Sequence, residues 1–261
     1  MKELVLVRGA GDVATAVAIR LRERGLAVVC TELLQPLALR RAVSFAEAVY
    51  EGRWAVEGHE AARATSPKEA LSLLEGDVVP VLAPEGAAVE ELRPEVIVDA
   101  RMAKRNLGTR LDEAPIVIGL GPGFTAGVNC HAAVETLRGP RLGKVYLEGS
   151  PLPPTHTPCT IGGLSRERVL RAPRAGHFFG YKAIGTRVEK GEPVAWCSGE
   201  ELRAPCSGVV RGILRSGIEV PAGTKAVELD PRGDPRVCFR VADRSWRIAA
   251  GVLEALDLLG F

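Results

Sequence analysis

The stretch Leu170–Gly191, LRAPRAGHFFGYKAIGTRVEKG, returns 32 residues later as Leu202–Gly223, LRAPCSGVVRGILRSGIEVPAG, without a gap. Nine positions are identical: the two Leu-Arg-Ala-Pro openings and the pairs Gly176/Gly208, Gly180/Gly212, Gly185/Gly217, Val188/Val220 and Gly191/Gly223. The glycines recur where tight turns need positive φ, with strand-forming residues between them. Two units are too few for a solenoid, which buries its core by stacking several repeats. They suit a small closed β module over residues 166–232, built from two quasi-identical halves related by n to n + 32.

The run Ala204-Pro205-Cys206-Ser207-Gly208-Val209-Val210 carries an Ala-Pro-x-x-Gly-x-Val signature, and the repeat resembles the barrel-sandwich fold of biotinyl and lipoyl carrier domains. Such carriers hold a modifiable lysine on the hairpin joining their halves. Here that hairpin, Trp196-Cys197-Ser198-Gly199-Glu200-Glu201, has no lysine, and Lys190 falls in a turn of the first half. Neither biotin nor lipoate is expected on this chain.

The N-terminal half reads as a different architecture. Leu4-Val5-Leu6-Val7 is an apolar run of strand length, followed by Arg8-Gly9-Ala10-Gly11-Asp12-Val13-Ala14 and a helical pattern that stops at Gly25. A second strand begins at Leu26 and ends at Glu32. Gly9 to Ala14 fits G-x-G-x-x-G/A in its strand–turn–helix setting, and Glu32 sits where a ribose-binding acid belongs. Gly9, Ala10, Gly11, Asp12, Val13 and Glu32 are therefore candidate cofactor-binding residues. A glycine-rich turn of this kind also survives in domains that bind no dinucleotide, so that alternative stays open.

Two further strand ends converge on the same edge. Val96-Ile97-Val98 runs into Asp99 and Arg101, with Lys104 and Arg105 beyond, and Ile116-Val117-Ile118 runs into Gly119-Leu120-Gly121-Pro122-Gly123-Phe124. A helix is expected from about Thr125 to Leu137, giving a second glycine loop at a helix N-terminus. In an open parallel sheet these loops share the carboxyl edge, where ligands bind. Asp99, Arg101, Gly121 and Gly123 join the candidate set. So do Arg40 and Arg41, from a helix expected over 37–50, although a solvated basic face explains arginines equally well. Further strands are expected near Trp54, at Val78–Leu82 and at Lys144–Leu147, and a helix at Pro67–Leu74 capped by Ser66. Glu32 should favour an NAD-like ribose over a 2′-phosphate, unless Arg40 or Arg41 reaches that phosphate.

At 261 residues the chain accommodates a domain over 1–150, a linker over 151–165, the β module, and a tail over 233–261. In that tail Val237–Val241 reads as a strand, and a last helix, begun by Asp243 or Ser245, should pack back on the N-terminal domain. A net charge of +2 gives no reason to expect nucleic acid or a membrane surface. No apolar run approaches the ~20 residues of a membrane span, and the start resembles no signal peptide. A cytoplasmic protein is expected, with its six cysteines as free thiols. His156-x-x-Cys159, Cys130-His131 and His177 fall short of the paired ligand spacing of a zinc site, so no metal is expected. Cys159 could instead be a reactive loop thiol.

Four segments carry a longer resemblance: Val7–Thr15, the run Arg40-Arg41-Ala42-Val43-Ser44-Phe45-Ala46-Glu47-Ala48-Val49-Tyr50-Glu51-Gly52, Gly119–Gly127, and Gly251–Ala255. Through them the chain resembles the YqeB-type accessory proteins of selenium-dependent molybdenum hydroxylase systems. Their N-terminal half is similar to the Rossmann domain of xanthine dehydrogenase accessory proteins. The resemblance implies a maturation factor working with a molybdenum hydroxylase or its machinery, and holding a nucleotide or the dinucleotide form of the molybdenum cofactor. One alternative is an NAD(P)-dependent oxidoreductase, against which stands the lack of a Tyr-x-x-x-Lys pair. Another is a scaffold with a vestigial nucleotide fold.

Overall fold

The computed structural model describes residues 3–155 and 157–261, so His156 of the His156-x-x-Cys159 pair lies outside it. The chain forms two units, one of residues 1–36, 44–155 and 241–261, the other of residues 37–43 and 156–240.

The first unit is α/β. Its strands are β1 (Leu4–Arg8), β2 (Ala27–Thr31), β3 (Arg53–Val56), β4 (His59–Ala64), β5 (Val78–Leu82), β6 (Val96–Asp99), β7 (Ile116–Leu120), β8 (Ala132–Val134) and β9 (Val145–Tyr146). Its helices are α1 (Asp12–Glu23), α2 (Ala48–Glu51), α3 (Pro67–Leu73), α4 (Ala88–Leu92) and α5 (Asp243–Leu258). One nine-stranded sheet runs β3-β4-β5-β2-β1-β6-β7-β8-β9. The seven strands from β4 to β8 in that order are parallel, and β3 and β9 pair antiparallel at the two edges. β1, β5 and β6 are buried along their whole length, as continuous Val/Ile/Leu runs require when both faces are covered. Leu6, Val29, Leu82, Ile97 and Phe124 pack in one cluster with Ala70 of α3 and Leu92 of α4. Each large apolar side chain so buried contributes about 1.5–3 kcal/mol.

α3 starts at Pro67, and the Ser66 hydroxyl accepts from the Glu69 N–H at 3.2 Å, a side-chain cap on the first turn. α5 packs against α1, β8 and β9. Its first turn has no side-chain cap; Ala242 precedes it, in place of the expected Asp243 or Ser245.

The second unit holds β10 (Val169–Arg171), β11 (Gly176–Gly180), β12 (Arg187–Val188), β13 (Pro193–Cys197), β14 (Glu200–Arg203), β15 (Gly208–Ile213), β16 (Ile218–Val220) and β17 (Lys225–Asp230). They make two four-stranded antiparallel sheets, β10-β17-β15-β12 and β14-β13-β11-β16. Moving 32 residues along the chain carries β10 onto β14, β11 onto β15, β12 onto β16 and β13 onto β17, so one sheet order becomes the other. The hydrogen bonds obey the same operation. Gly185 N–H donates to Val210 C=O and Gly217 N–H to Phe178 C=O, both at 2.8 Å. Gly185 and Gly217 have φ of +88° and +84°, the left-handed turn that glycine alone adopts cheaply.

Three expectations fail for local reasons. The 37–50 helix is two 3-10 turns, Arg41–Val43 and Phe45–Glu47, separated by extended Ser44, and only Ala48–Glu51 is α-helical. The 125–137 helix is a closed loop followed by β8. Asn129 stops it, because its side-chain oxygen accepts from Thr125 N–H while its amide donates to Gly123 C=O. The 237–241 strand is a 3-10 helix, Pro235–Phe239, opened by an Asp234 side chain that accepts from Arg236 N–H. Among the described residues no helix is long and apolar enough to cross a membrane.

Candidate functional site

Parallel pairing brings the ends of β1, β2, β6 and β7 to one edge of the nine-stranded sheet. After β1 the chain turns through Gly9, at φ +99°, whose Cβ position faces the Ala100 carbonyl at 3.1 Å. Ala10 is buried and Val13 enters the core, so each presents only backbone to the edge. Gly11 precedes α1 with φ −67° and gives it no side-chain cap, and Asp12 opens the helix with a charge that its positive end favours. Thr15 fastens the turn, donating to the Ala10 carbonyl and accepting from Phe45 N–H.

Glu32 follows β2. One carboxylate oxygen accepts from Ala10 N–H at 3.0 Å and the other from Leu33 N–H at 2.9 Å. Burial pushes its carboxyl up, and the two N–H donors pull back without cancelling that effect.

At the end of β6, the Asp99 carboxylate accepts from the Arg101 guanidinium and from Thr109 Oγ1, the latter at 2.7 Å. Thr109 Oγ1 in turn accepts from Arg8, at 2.7 Å, and from Arg101, at 2.9 Å. Arg8 also pairs with Glu85 and Glu113, each at 2.8 Å. Burial opposes its charge, but the two carboxylates outweigh burial and hold its pKa above the ordinary value. Arg8, Glu85, Thr109 and Glu113 were absent from the sequence-derived set. The one signal for them was a charge closing the apolar run Leu4–Val7. Chemically this network orders the loops after β1 and β6; Asp99 and Arg101 neutralise each other within it.

The second glycine loop behaves differently from the first. No helix follows it, so it supplies no helix N-terminus. Gly121, at φ +82°, packs on Thr136, and Gly123, at φ +101°, packs on the backbone of Arg105 and Asn106. Fold geometry alone demands glycine at both positions. Lys104 and Arg105 are exposed. His131 uses Nδ1 to accept the Val117 N–H at 2.9 Å.

Arg40 and Arg41 belong to the second unit. There Arg40 is buried and donates to the carbonyls of Val237 and Arg240, and Arg41 donates to that of Ile213. These bonds brace the β module and engage both guanidinium groups that were expected to meet a phosphate. The thiols of Cys30 and Cys130 are buried and pushed up, Cys130 to about 12, which makes them inert. Cys159 is half-buried, and its carbonyl accepts from Arg168 at 2.8 Å. Among the described residues no three His, Cys, Asp or Glu side chains are placed to hold a metal.

No family model matches the chain. Among solved structures it is similar to a succinylglutamate desuccinylase/aspartoacylase from Rhodobacter sphaeroides, with 16% identity, TM-score 0.27, and coverage of 87% of this chain and 85% of that one. A succinylglutamate desuccinylase from Silicibacter sp. TM1040 gives 14% identity, TM-score 0.25, and coverage of 87% and 84%. Over 258 residues the chain is 45% identical to the uncharacterized protein YqeB of Escherichia coli (strain K12), an alignment taking in 98% of this chain and 48% of the relative. The chain thus spans about half the length of the curated relative it matches.

Proposed function

We propose that the carboxyl edge of the nine-stranded sheet, read as a Rossmann-like domain, binds a phosphorylated nucleotide-containing ligand in the service of molybdenum hydroxylase maturation. The cargo would be a nucleotide or the dinucleotide form of the molybdenum cofactor. The observation that carries the binding reading is Gly11. Its φ of −67° suits any residue, and a Cβ built there meets no protein atom within 4 Å. Nothing in the fold asks for glycine here, whereas a diphosphate approaching the backbone does. Behind it, α1 adds the positive end of a helix twelve residues long.

The fit to a ribose is supported at Glu32. A carboxylate has about four acceptor positions, and two are engaged by Ala10 and Leu33, so the remainder suit a diol. The maturation role rests on the motif resemblance, and the barrel-sandwich reading of the β module on its 32-residue repeat. Against the oxidoreductase alternative, His131 has Nδ1 occupied by Val117.

Calorimetric titration with ADP, NAD and NADP, together with mass spectrometry of whatever small molecule co-purifies, tests the proposal. Binding by the wild type that falls at least ~100-fold in Gly11→Val supports it, a loss of roughly 2.7 kcal/mol. Equal affinity in a folded Gly11→Val would place the ligand elsewhere.

A further inference from the structure

The turn joining β8 to β9 meets α5 backbone to backbone. A Cβ on Gly143 would meet the Arg247 carbonyl at 2.6 Å, and one on Gly251 would strike the Gly143 carbonyl. Gly143 takes φ +85°, and its N–H donates to the Glu135 carbonyl at 3.0 Å. Lys144 N–H closes back on the Arg141 carbonyl at 2.9 Å, and the buried Leu142 pins the turn at its centre. Beside this contact, between turn and helix, opens a cleft of about 300 Å³. Arg141 lines it from the turn, and Arg247 and Glu254 line it from α5.

Those three charges differ from their neighbours on the same two segments. Arg138 pairs with Asp243 at 3.3 Å, Arg244 donates to the Thr136 carbonyl at 2.8 Å, and Asp257 pairs with Arg24 at 2.7 Å. Lys144, also at the cleft, holds its Nζ 5.1 Å from the centroid of the Tyr146 ring. Among the described residues, the side chains of Arg141, Arg247 and Glu254 have no hydrogen-bond or ionic partner. Glu254 follows Arg247 by two helical turns, about 10 Å along the axis, which leaves the guanidinium uncompensated. Two arginines from separate segments thus line one cleft, with no acid of the protein paired to either.

We propose that this cleft binds a phosphate group, free or carried on a small metabolite, gripped between Arg141 and Arg247. A guanidinium meets oxyanions through a planar fork of N–H donors, and such charge-assisted bonds are about twice as strong as neutral ones. A planar carboxylate matches one fork. A tetrahedral phosphate turns oxygens toward both walls at once, as two arginines from separate segments require. Glu254 repels a second anionic group, so one phosphate suits the cleft better than a polyphosphate. The glycine contact fixes the two walls before any ligand arrives, which limits the ordering cost to the two side chains. This site stands apart from the nucleotide reading, at the β9 edge of the sheet, four strands from β1.

Calorimetric titration of the whole chain with inorganic phosphate, at an ionic strength fixed with chloride, tests this. The wild type should bind phosphate at least ~10-fold more tightly than acetate, a difference of about 1.4 kcal/mol. Arg141→Gln and Arg247→Gln should each weaken phosphate binding at least ~10-fold, and Glu254→Gln should strengthen it. All three positions are exposed, and circular dichroism checks that the variants stay folded. No binding up to about 10 mM, equal binding of acetate, or binding untouched in either arginine variant overturns the proposal. Tripolyphosphate binding more tightly than phosphate also overturns it, by showing a basic face that ranks ligands by charge alone. So does phosphate binding that Gly11→Val abolishes and the arginine variants keep, which would assign the phosphate to the turn after β1.

Discussion

The Ala10 N–H donates to one Glu32 carboxylate oxygen at 3.0 Å, so the acid at the end of β2 braces the glycine turn after β1. Replacing it with alanine leaves the part-buried Ala10 amide without its acceptor, at a cost of about 1–3 kcal/mol, while the exposed Leu33 amide turns to water. Urea unfolding of Glu32→Ala measures that loss.

The same residue predicts a pH dependence. Burial raises the folded carboxyl above its unfolded value despite the two N–H donors, so the folded state binds that proton more tightly. Ionisation therefore works against folding. The Glu32 contribution should fall as pH rises from the ordinary carboxylate range into the raised one, and level off above it. Glu32→Gln, which cannot ionise, should lack this decline in urea titrations run between about pH 4 and about pH 7. Parallel stability curves for wild type and variant would show that Glu32 titrates normally.

Glycines at the two loops should respond oppositely to a side chain. Gly11→Val has ordinary φ and open space, so its unfolding free energy should stay within about 1 kcal/mol of wild type. Gly123→Ala forces a Cβ into the Asn106 backbone at positive φ and should cost more than about 2 kcal/mol. Thermal and urea melts of the pair distinguish a glycine kept for what approaches it from one kept by the fold.

Much of the architecture could be read from the chain because its signals are local. Val78–Leu82, the Ser66 cap before Pro67, and the 32-residue repeat are each written in neighbouring residues. The failures come from side-chain bonds that interrupt a pattern and from partners distant in sequence. Thr125–Leu137 has helical apolar spacing, but Asn129 and the pairing of β8 with β7 prevail over it. Arg40 and Arg41 gain the carbonyls of Val237, Arg240 and Ile213 as partners, which no neighbouring residue announces. Arg8 lay inside the motif yet unnoticed, because Glu85 and Glu113 come from distant loops.

Gly251 offers a prediction with an inverted sign. Gly-to-Ala inside a helix ordinarily stabilises by roughly 0.5–1 kcal/mol. Here the Cβ would strike the Gly143 carbonyl and crowd Val134, because α5 presses against backbone. Gly251→Ala should destabilise instead, by about 1–3 kcal/mol as overpacking does, read from chemical denaturation.

Among the described residues Arg168 is the largest fully buried side chain, and it joins Glu228 to the Cys159 carbonyl. Arg168→Ala should cost about 3 kcal/mol by leaving the half-buried Glu228 carboxylate poorly compensated. Arg211 still reaches Glu228, which limits the loss. A double-mutant cycle with Glu228→Gln isolates the pair.

The partnership of α1 with α5 joins residues from opposite ends of the chain. Ribosomes deliver roughly 5–20 residues per second, so the apolar stripe of α1 emerges many seconds before the helix that covers it. The face of α1 that α5 covers must wait through the synthesis of the entire β module. During that interval the nascent first unit offers a greasy, unclosed seam to chaperones. The last turns of α5 thus serve as a latch, and any nonsense mutation removing them would leave the chain a substrate for quality control.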